Sequence, residues 1–187
     1  EESINIMKSI IESGLSVSPY VNINEGKGKG EIEVTTLCGT TIDGILLNEG
    51  ISSQPQYGGL LKIEDYQPVR FEELIFYKKT SLTPLDAFSS PNRTSVLDVI
   101  DSGTGLIPAN FRLIPGVGRE KTVDIIKKLD NIGIGGVIGI SDEGKDILGI
   151  PVPEGMVGIA IVGGITPFRA VQENGEEINI KIAEEIT

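Results

Sequence analysis

Histidine and tryptophan are absent from the 187 residues, and there is one cysteine, Cys38. Without histidine there is no Ser-His or Cys-His pair to activate a nucleophile. Nor is there an imidazole ligand for zinc, or a side chain that ordinarily exchanges a proton near neutral pH. Catalysis would have to rest on lysine, carboxylates or a hard metal, so the chain is expected not to be an enzyme and to need no cofactor. A lone cysteine excludes an internal disulfide framework and suits a reducing compartment, which points to the cytoplasm. No apolar run reaches the roughly 18–20 residues of a membrane span, and the N-terminus carries no signal-peptide pattern. Aromatic residues make up only 5% of the chain, so its core has to be built from Ile, Val and Leu, a composition that favours strands.

Positive charge is also in short supply. The 16 basic residues face 27 acidic ones, for a net charge of −11 and a pI near 4.5. Such a surface repels phosphate backbones, so this segment is not expected to hold DNA or RNA by itself. Hydrophobic residues at 39% and a mean hydropathy of +0.07 still allow a buried interior. The length is enough for two small cores.

Hydrophobic spacing gives the order of elements. Ser3, Ile4, Met7, Ile10 and Ile11 predict a helix over 3–13, with Ser3 as N-cap and Gly14 as its end. Strands are predicted at Pro19–Ile23 and Ile32–Leu37, separated by a loop at Gly26–Gly30. Cys38–Thr41 reads as a turn and Ile42–Asn48 as a helix closed by Gly50. Further strands are predicted at Gly59–Glu64 and Val69–Tyr77, and helices near Thr83-Pro84 and from Thr94 to about Ile100. In the second half, Phe111–Ile114 predicts a strand, Arg119–Leu129 a helix, and Gly135–Ile140 and Val157–Val162 two more strands. A helix starts at Thr166-Pro167, with Thr166 as N-cap, and Ile178–Ile182 alternates as a last strand. This order is the split βαβ, ferredoxin-like arrangement.

A repeat runs through the pattern. Val34-Thr35-Thr36-Leu37-Cys38-Gly39-Thr40-Thr41 aligns with Ile159-Ala160-Ile161-Val162-Gly163-Gly164-Ile165-Thr166. In the same register Gly30 meets Gly155, Leu46 meets Val171 and Gly50 meets Gly175. The fold expected is therefore α+β: two ferredoxin-like sub-domains related by internal duplication. The divisions are 1–16 as an N-terminal helix and linker, 17–95 as the first half and 96–187 as the second.

Candidate binding residues follow from where glycine meets a helix start. Gly39 and Gly163-Gly164 end strands, and the next helix N-terminus exposes unpaired N–H groups where an anion can sit. Cys38, Thr41 and Thr166 flank those turns. Taken singly, each turn is explained as well by a tight packing corner, and Cys38 by a small buried side chain. The stretch from Ser102 to Arg112 reads as a Gly-rich recognition loop, with Gly103, Thr104, Asn110 and a guanidinium at Arg112 that can grip a carboxylate. It lacks a Gly-Lys-Ser/Thr ending, so a nucleotide P-loop is not supported. Arg93 precedes a helix start, where capping by Thr94 or Ser95 is the simpler explanation. Asp142-Glu143-Gly144 lacks alternating carboxylates and reads as a hairpin turn, so no metal is expected.

These segments, in order, resemble the regulatory domain of the NrpR nitrogen repressors of methanogenic archaea. The likeness rests on Arg93–Asp98, Ser102–Arg112 with Ile114-Pro115, Ile132–Val137 and Val157–Gly164, and in the first half on Cys38–Gly44 and Phe71–Leu85. It covers the chain from about Val17 onward. The resemblance implies the effector-sensing part of a transcriptional repressor of nitrogen genes, responding to 2-oxoglutarate, assembled as a dimer or larger homo-oligomer. It would reach DNA only through a separate winged-helix domain, of which this sequence has no recognisable trace. A structural oligomerisation domain without a ligand, or a small-molecule enzyme, are the other readings the residues leave open.

Overall fold

The computed structural model describes residues 1–28, 30–77 and 93–181. The helix start expected at Thr83-Pro84 lies outside them. Helix α1 (Glu2–Glu12) leads to a hairpin of β1 (Val21–Glu25) and β2 (Ile32–Thr36), then to α2 (Gly39–Asn48). Two long strands follow, β3 (Gln54–Glu64) and β4 (Gln67–Phe76). After the short α3 (Val96–Ser102) come β5 (Gly105–Pro115), a 3-10 turn at Gly116–Gly118, α4 (Arg119–Asp130), β6 (Val137–Ile140), β7 (Met156–Val162) and α5 (Thr166–Glu173).

The strands form two sheets, and the mixed α+β class with its strand–helix–strand units is the expected one. The smaller sheet is the antiparallel β1–β2 hairpin; the larger has the order β4-β3-β5-β7-β6, antiparallel throughout. Strands β5, β6 and β7 with helices α4 and α5 follow the ferredoxin-like path, with β7 between β5 and β6. The place beside β5 that a fourth strand would take is filled by β3, which follows α2 in the first half of the chain. The larger sheet thus draws strands from both sides of residue 95.

The aligned repeat segments are both strand–corner–helix units, β2 into α2 and β7 into α5. Their glycines agree in detail: Gly30 and Gly155 have φ of 83° and 77°, and Gly50 and Gly175 have 81° and 89°, the left-handed region that favours glycine. Leu46 and Val171, also paired by the repeat, are both buried.

One face of the larger sheet carries the main core, in which Ile42 and Leu46 of α2, Ile125 and Leu129 of α4 and Ala170 of α5 pack on Ile114, Ile159 and Ile161. The other face is covered by a shorter segment, where Ile150 and Val152 pack on Phe111 and Leu113. Strand β5 is therefore buried on both sides, and an apolar truncation along it, such as Ile114→Ala, costs about 2–5 kcal/mol. Edge strand β4 carries Arg70, Glu72 and Glu73 in exposed or half-exposed positions, charges that discourage pairing with another chain. The β1–β2 hairpin leaves Val21, Ile23 and Ile32 exposed.

Several local expectations need correction. The Gly-rich loop expected over 102–112 is, from Gly105 onward, the central strand of the sheet. Pro108 is tolerated there because its carbonyl accepts the Gly163 N–H at 2.8 Å. The missing proline donor therefore faces the point where β7 leaves the sheet. Thr166 does not cap α5: Ile165 is the N-cap, and the Thr166 hydroxyl instead donates to the Gly163 carbonyl at 2.7 Å. Helix α2 starts at Gly39 rather than Ile42, and α1 is capped by Glu1 without a side-chain bond from Ser3. Ile178–Lys181 carries no strand, and Ile182 lies outside the described residues.

Candidate functional site

The two glycine corners meet. Gly164, between β7 and α5, lies against Cys38, between β2 and α2: a Cβ on Gly164 would stand 2.5 Å from the Cys38 Cβ and 3.0 Å from its Cα. No real side chain fits there, so Gly164 is what lets the corners touch. Gly163 is pressed in the same way on Pro108 of β5. The Cys38 thiol points to its own helix, with Sγ 2.9 Å from the Thr40 hydroxyl.

Next to this junction lies Arg112. Asn110 and Arg112 are two apart on β5 and so share a face. Arg112 is 3% exposed and reaches the first turn of α2, where a Cβ on Gly39 would be 3.0 Å from the guanidinium Cζ and 3.2 Å from Nη1. Among the described residues its charged partner is Asp43, also on α2: Arg112 Nε donates to Asp43 Oδ1 at 2.6 Å. The Ser53 hydroxyl donates to the same Oδ1, also at 2.6 Å. Arg112 Nη1 and Asp43 Oδ2 are buried and have no hydrogen-bond partner among the described residues.

Tyr77, at the end of β4, donates its hydroxyl to Asn110 Oδ1 at 2.6 Å. Burial pushes its phenol above the usual range; the charges of Asp43 and Cys38 add to this, and Arg112 opposes it.

The structure therefore gathers Arg112, Asn110, Cys38, Gly39, Thr41, Gly163, Gly164 and Thr166 around one junction. It does not bring three other candidates there. Gly103 ends α3 against the ring of Tyr66. Thr104 lines a hollow of about 320 Å³ with Lys62, Glu72 and Leu106; along an extended strand it is about 26 Å from Arg112. Arg93 pairs at the surface with Glu73 at 3.1 Å. A second hollow, of about 350 Å³, lies near Ser16, Ser18 and Gly136 and is also separate. Asp43, Ser53 and Tyr77 were not foreseen. The signal for Asp43 was present: with Gly39 and Leu46 it continues the helical stripe that faces inward, an unusual place for a carboxylate. Among the described residues no group of three or more His, Cys, Asp or Glu could hold a metal, and no helix is long and apolar enough to cross a membrane.

A buried arginine thus stands at the joint of two repeated strand–corner–helix units in an acidic α+β frame. Comparison with known proteins says which family carries this arrangement. The family model described as NrpR regulatory domains NRD1 and 2 matches residues 1–187, and the chain belongs to that family. It is 39% identical over 184 residues to the global nitrogen regulator NrpRI of Methanosarcina mazei, covering 95% of this chain and 57% of that protein. It is 41% identical over 176 residues to the global nitrogen regulator NrpR of Methanococcus maripaludis, covering 94% of this chain and 31% of that protein. The crystal structure of a nitrogen repressor-like protein from Methanococcus jannaschii matches with a TM-score of 0.82 at 30% identity, over 96% of this chain and 75% of that one. The relatives are named as regulators, not enzymes. The chain spans little more than half of the first relative and about a third of the second.

Proposed function

We propose that the chain is the effector-sensing regulatory domain of a transcriptional repressor of nitrogen fixation or assimilation genes. In this reading it binds 2-oxoglutarate and thereby modulates DNA binding by a separate winged-helix domain. Arg112 carries the reading. Its guanidinium has a buried Nη1 with no partner among the described residues and lies against the N-terminus of α2, where positive charge is disfavoured. A small dianion answers both features. One carboxylate pairs with the guanidinium, and the α2 and α5 starts, with Cys38, Gly39, Thr41, Gly163, Gly164, Thr166 and Asn110, supply the surroundings. Because the corners belong to different units, a ligand that binds one relative setting better shifts the equilibrium between settings. The reading places the protein in the cytoplasm as a dimer or larger homo-oligomer, which light scattering measures directly.

Ligand-linked stability tests it. At a hundredfold excess over Kd, a ligand bound only by the folded chain adds about 2.7 kcal/mol. A thermal-shift panel of 2-oxoglutarate, glutamate, glutamine and nucleotides should single out 2-oxoglutarate. The double variant Arg112→Met with Asp43→Leu removes both charges together, which keeps a buried pair from being half-broken, and should abolish the shift. A folded wild-type chain that responds to no 2-oxo acid would instead favour a purely structural oligomerisation domain.

A further inference from the structure

We infer that Asp43 is a built-in stand-in for the effector's carboxylate: it holds Arg112 in the empty chain and is displaced when the ligand's carboxylate arrives. The inference rests on the effector-binding reading and adds how the same site is regulated.

The pair is made the wrong way for a permanent structural salt bridge. Arginine and a carboxylate normally satisfy each other through two parallel bonds, which uses both oxygens and two nitrogens. Here one bond forms, Nε to Oδ1, while Arg112 Nη1 and Asp43 Oδ2 stay buried and unpaired. A carboxylate free to choose its position would close the second bond. Asp43 is fixed on a helix that also packs Ile42 and Leu46 into the core, so it meets the guanidinium from one side only. A free carboxylate is under no such constraint.

The two partners also differ in their freedom to leave. The Arg112 side chain is 4% exposed, and it stands on the central strand, covered on both faces. The Asp43 side chain is 17% exposed and already accepts a second hydrogen bond, from Ser53. On exchange Asp43 keeps the Ser53 hydroxyl and gains water, whereas Arg112 has no other charged group to turn to among the described contacts. Exchange therefore moves the α2 side of the contact and leaves β5 in place. Since α2 opens at Cys38, which is packed on Gly164, a shift of α2 is felt at the junction with α5. The local charge favours the exchange as well. Arg112 and Asp43 cancel, and the N-terminus of α2 beside Gly39 adds a partial positive charge that one internal carboxylate leaves uncompensated.

The test compares 2-oxoglutarate binding by calorimetry in the wild type and Asp43→Asn, which keeps the shape and removes the competing charge. A stand-in predicts tighter binding by Asp43→Asn, about tenfold, within the usual range of coupling between two events at linked sites. Unchanged or weaker binding by a folded variant would mean that Asp43 only positions Arg112, and the inference fails while the effector reading stands. A wild type that binds no 2-oxo acid removes both. Should Asp43→Asn not fold, the wild type itself decides. In the NMR spectrum, the Arg112 Nε–H resonance and the Asp43 carboxyl carbon both shift on saturation with 2-oxoglutarate if the contact is exchanged. Both stay unmoved if Asp43 keeps its hold on Arg112, which overturns the inference.

Discussion

Gly164 rests directly on Cys38, and this one contact joins two strand-to-helix corners that are far apart in sequence. It turns a repeat into a joint. Neither corner alone is more than a place where a strand becomes a helix. Together they bring two helix starts, the buried Arg112–Asp43 pair and the end of β4 into one small volume.

The joint predicts that Gly164→Ala is costly. The new methyl would meet both the Cβ and the Cα of Cys38, and backbone has little room to give way. Overpacking of this kind costs about 1–3 kcal/mol, read as a lower urea midpoint at unchanged slope. Unaltered stability in Gly164→Ala would mean the corners are not held together as the structure has them.

Two glycines within α2 give an internal control. Gly44 has open space where a Cβ would go, so Gly44→Ala should stabilise by about 0.5–1 kcal/mol, the helix-propensity difference. Gly39→Ala gains nothing of the kind, because the new methyl collides with the Arg112 guanidinium. It should destabilise, and it should weaken 2-oxoglutarate binding by more than it lowers stability, since the group it displaces is the proposed anion receptor. The opposite ranking of the two variants in thermal unfolding would contradict the placement of Arg112.

Much of this was legible in the sequence, for physical reasons. Glycine at the end of an apolar strand marks a corner, and Gly39, Gly163 and Gly164 all sit at such ends. Of β5 only the end, Phe111–Ile114, was legible as a strand, and its first half was not. It is buried on both faces, so no alternation announces it, and Gly103, Gly105 and Pro108 mimic a loop; only the position of Pro108 beside the end of β7 makes the strand possible. The same misreading grouped Gly103 and Thr104 with Arg112, because neighbours along a loop can converge while residues along a strand cannot. Tyr77 and Ser53 were invisible for another reason. Nothing local distinguishes them, and their role exists only through Asn110 and Asp43, partners brought by the fold.

A carboxylate at the end of α5 caps a different helix, α3. Glu173, at the end of α5, accepts from the Thr94 hydroxyl at 2.6 Å and from the Val96 and Leu97 N–H groups at 3.0 and 2.9 Å. It does for α3 what a local N-cap side chain would do. Glu173→Ala leaves these donors without their acceptor and should cost about 1–3 kcal/mol, whereas Glu12→Ala, which breaks only an exposed pair with Lys8, should cost less than about 0.5 kcal/mol. Comparable losses from the two in urea unfolding would sink the capping role.

The last expectation concerns alkaline pH. Burial raises the ionisation of Tyr77, and the nearby charges of Asp43 and Cys38 act in the same direction against Arg112. In the unfolded chain this phenol ionises near its ordinary value of about 10. The folded chain therefore keeps the proton over a range in which the unfolded chain has lost it, and rising pH favours unfolding there. The stabilising contribution is complete below pH 10 and is lost as pH climbs from there through the raised folded value. Tyr77→Phe removes the titrating group. It should cost about 1 kcal/mol at neutral pH, from the lost bond to Asn110, yet its stability should fall less steeply than that of the wild type above pH 10. Urea unfolding of both proteins from pH 8 to 11 measures the two slopes. Parallel curves would place Tyr77 in water, not in the buried cluster with Asn110 and Arg112.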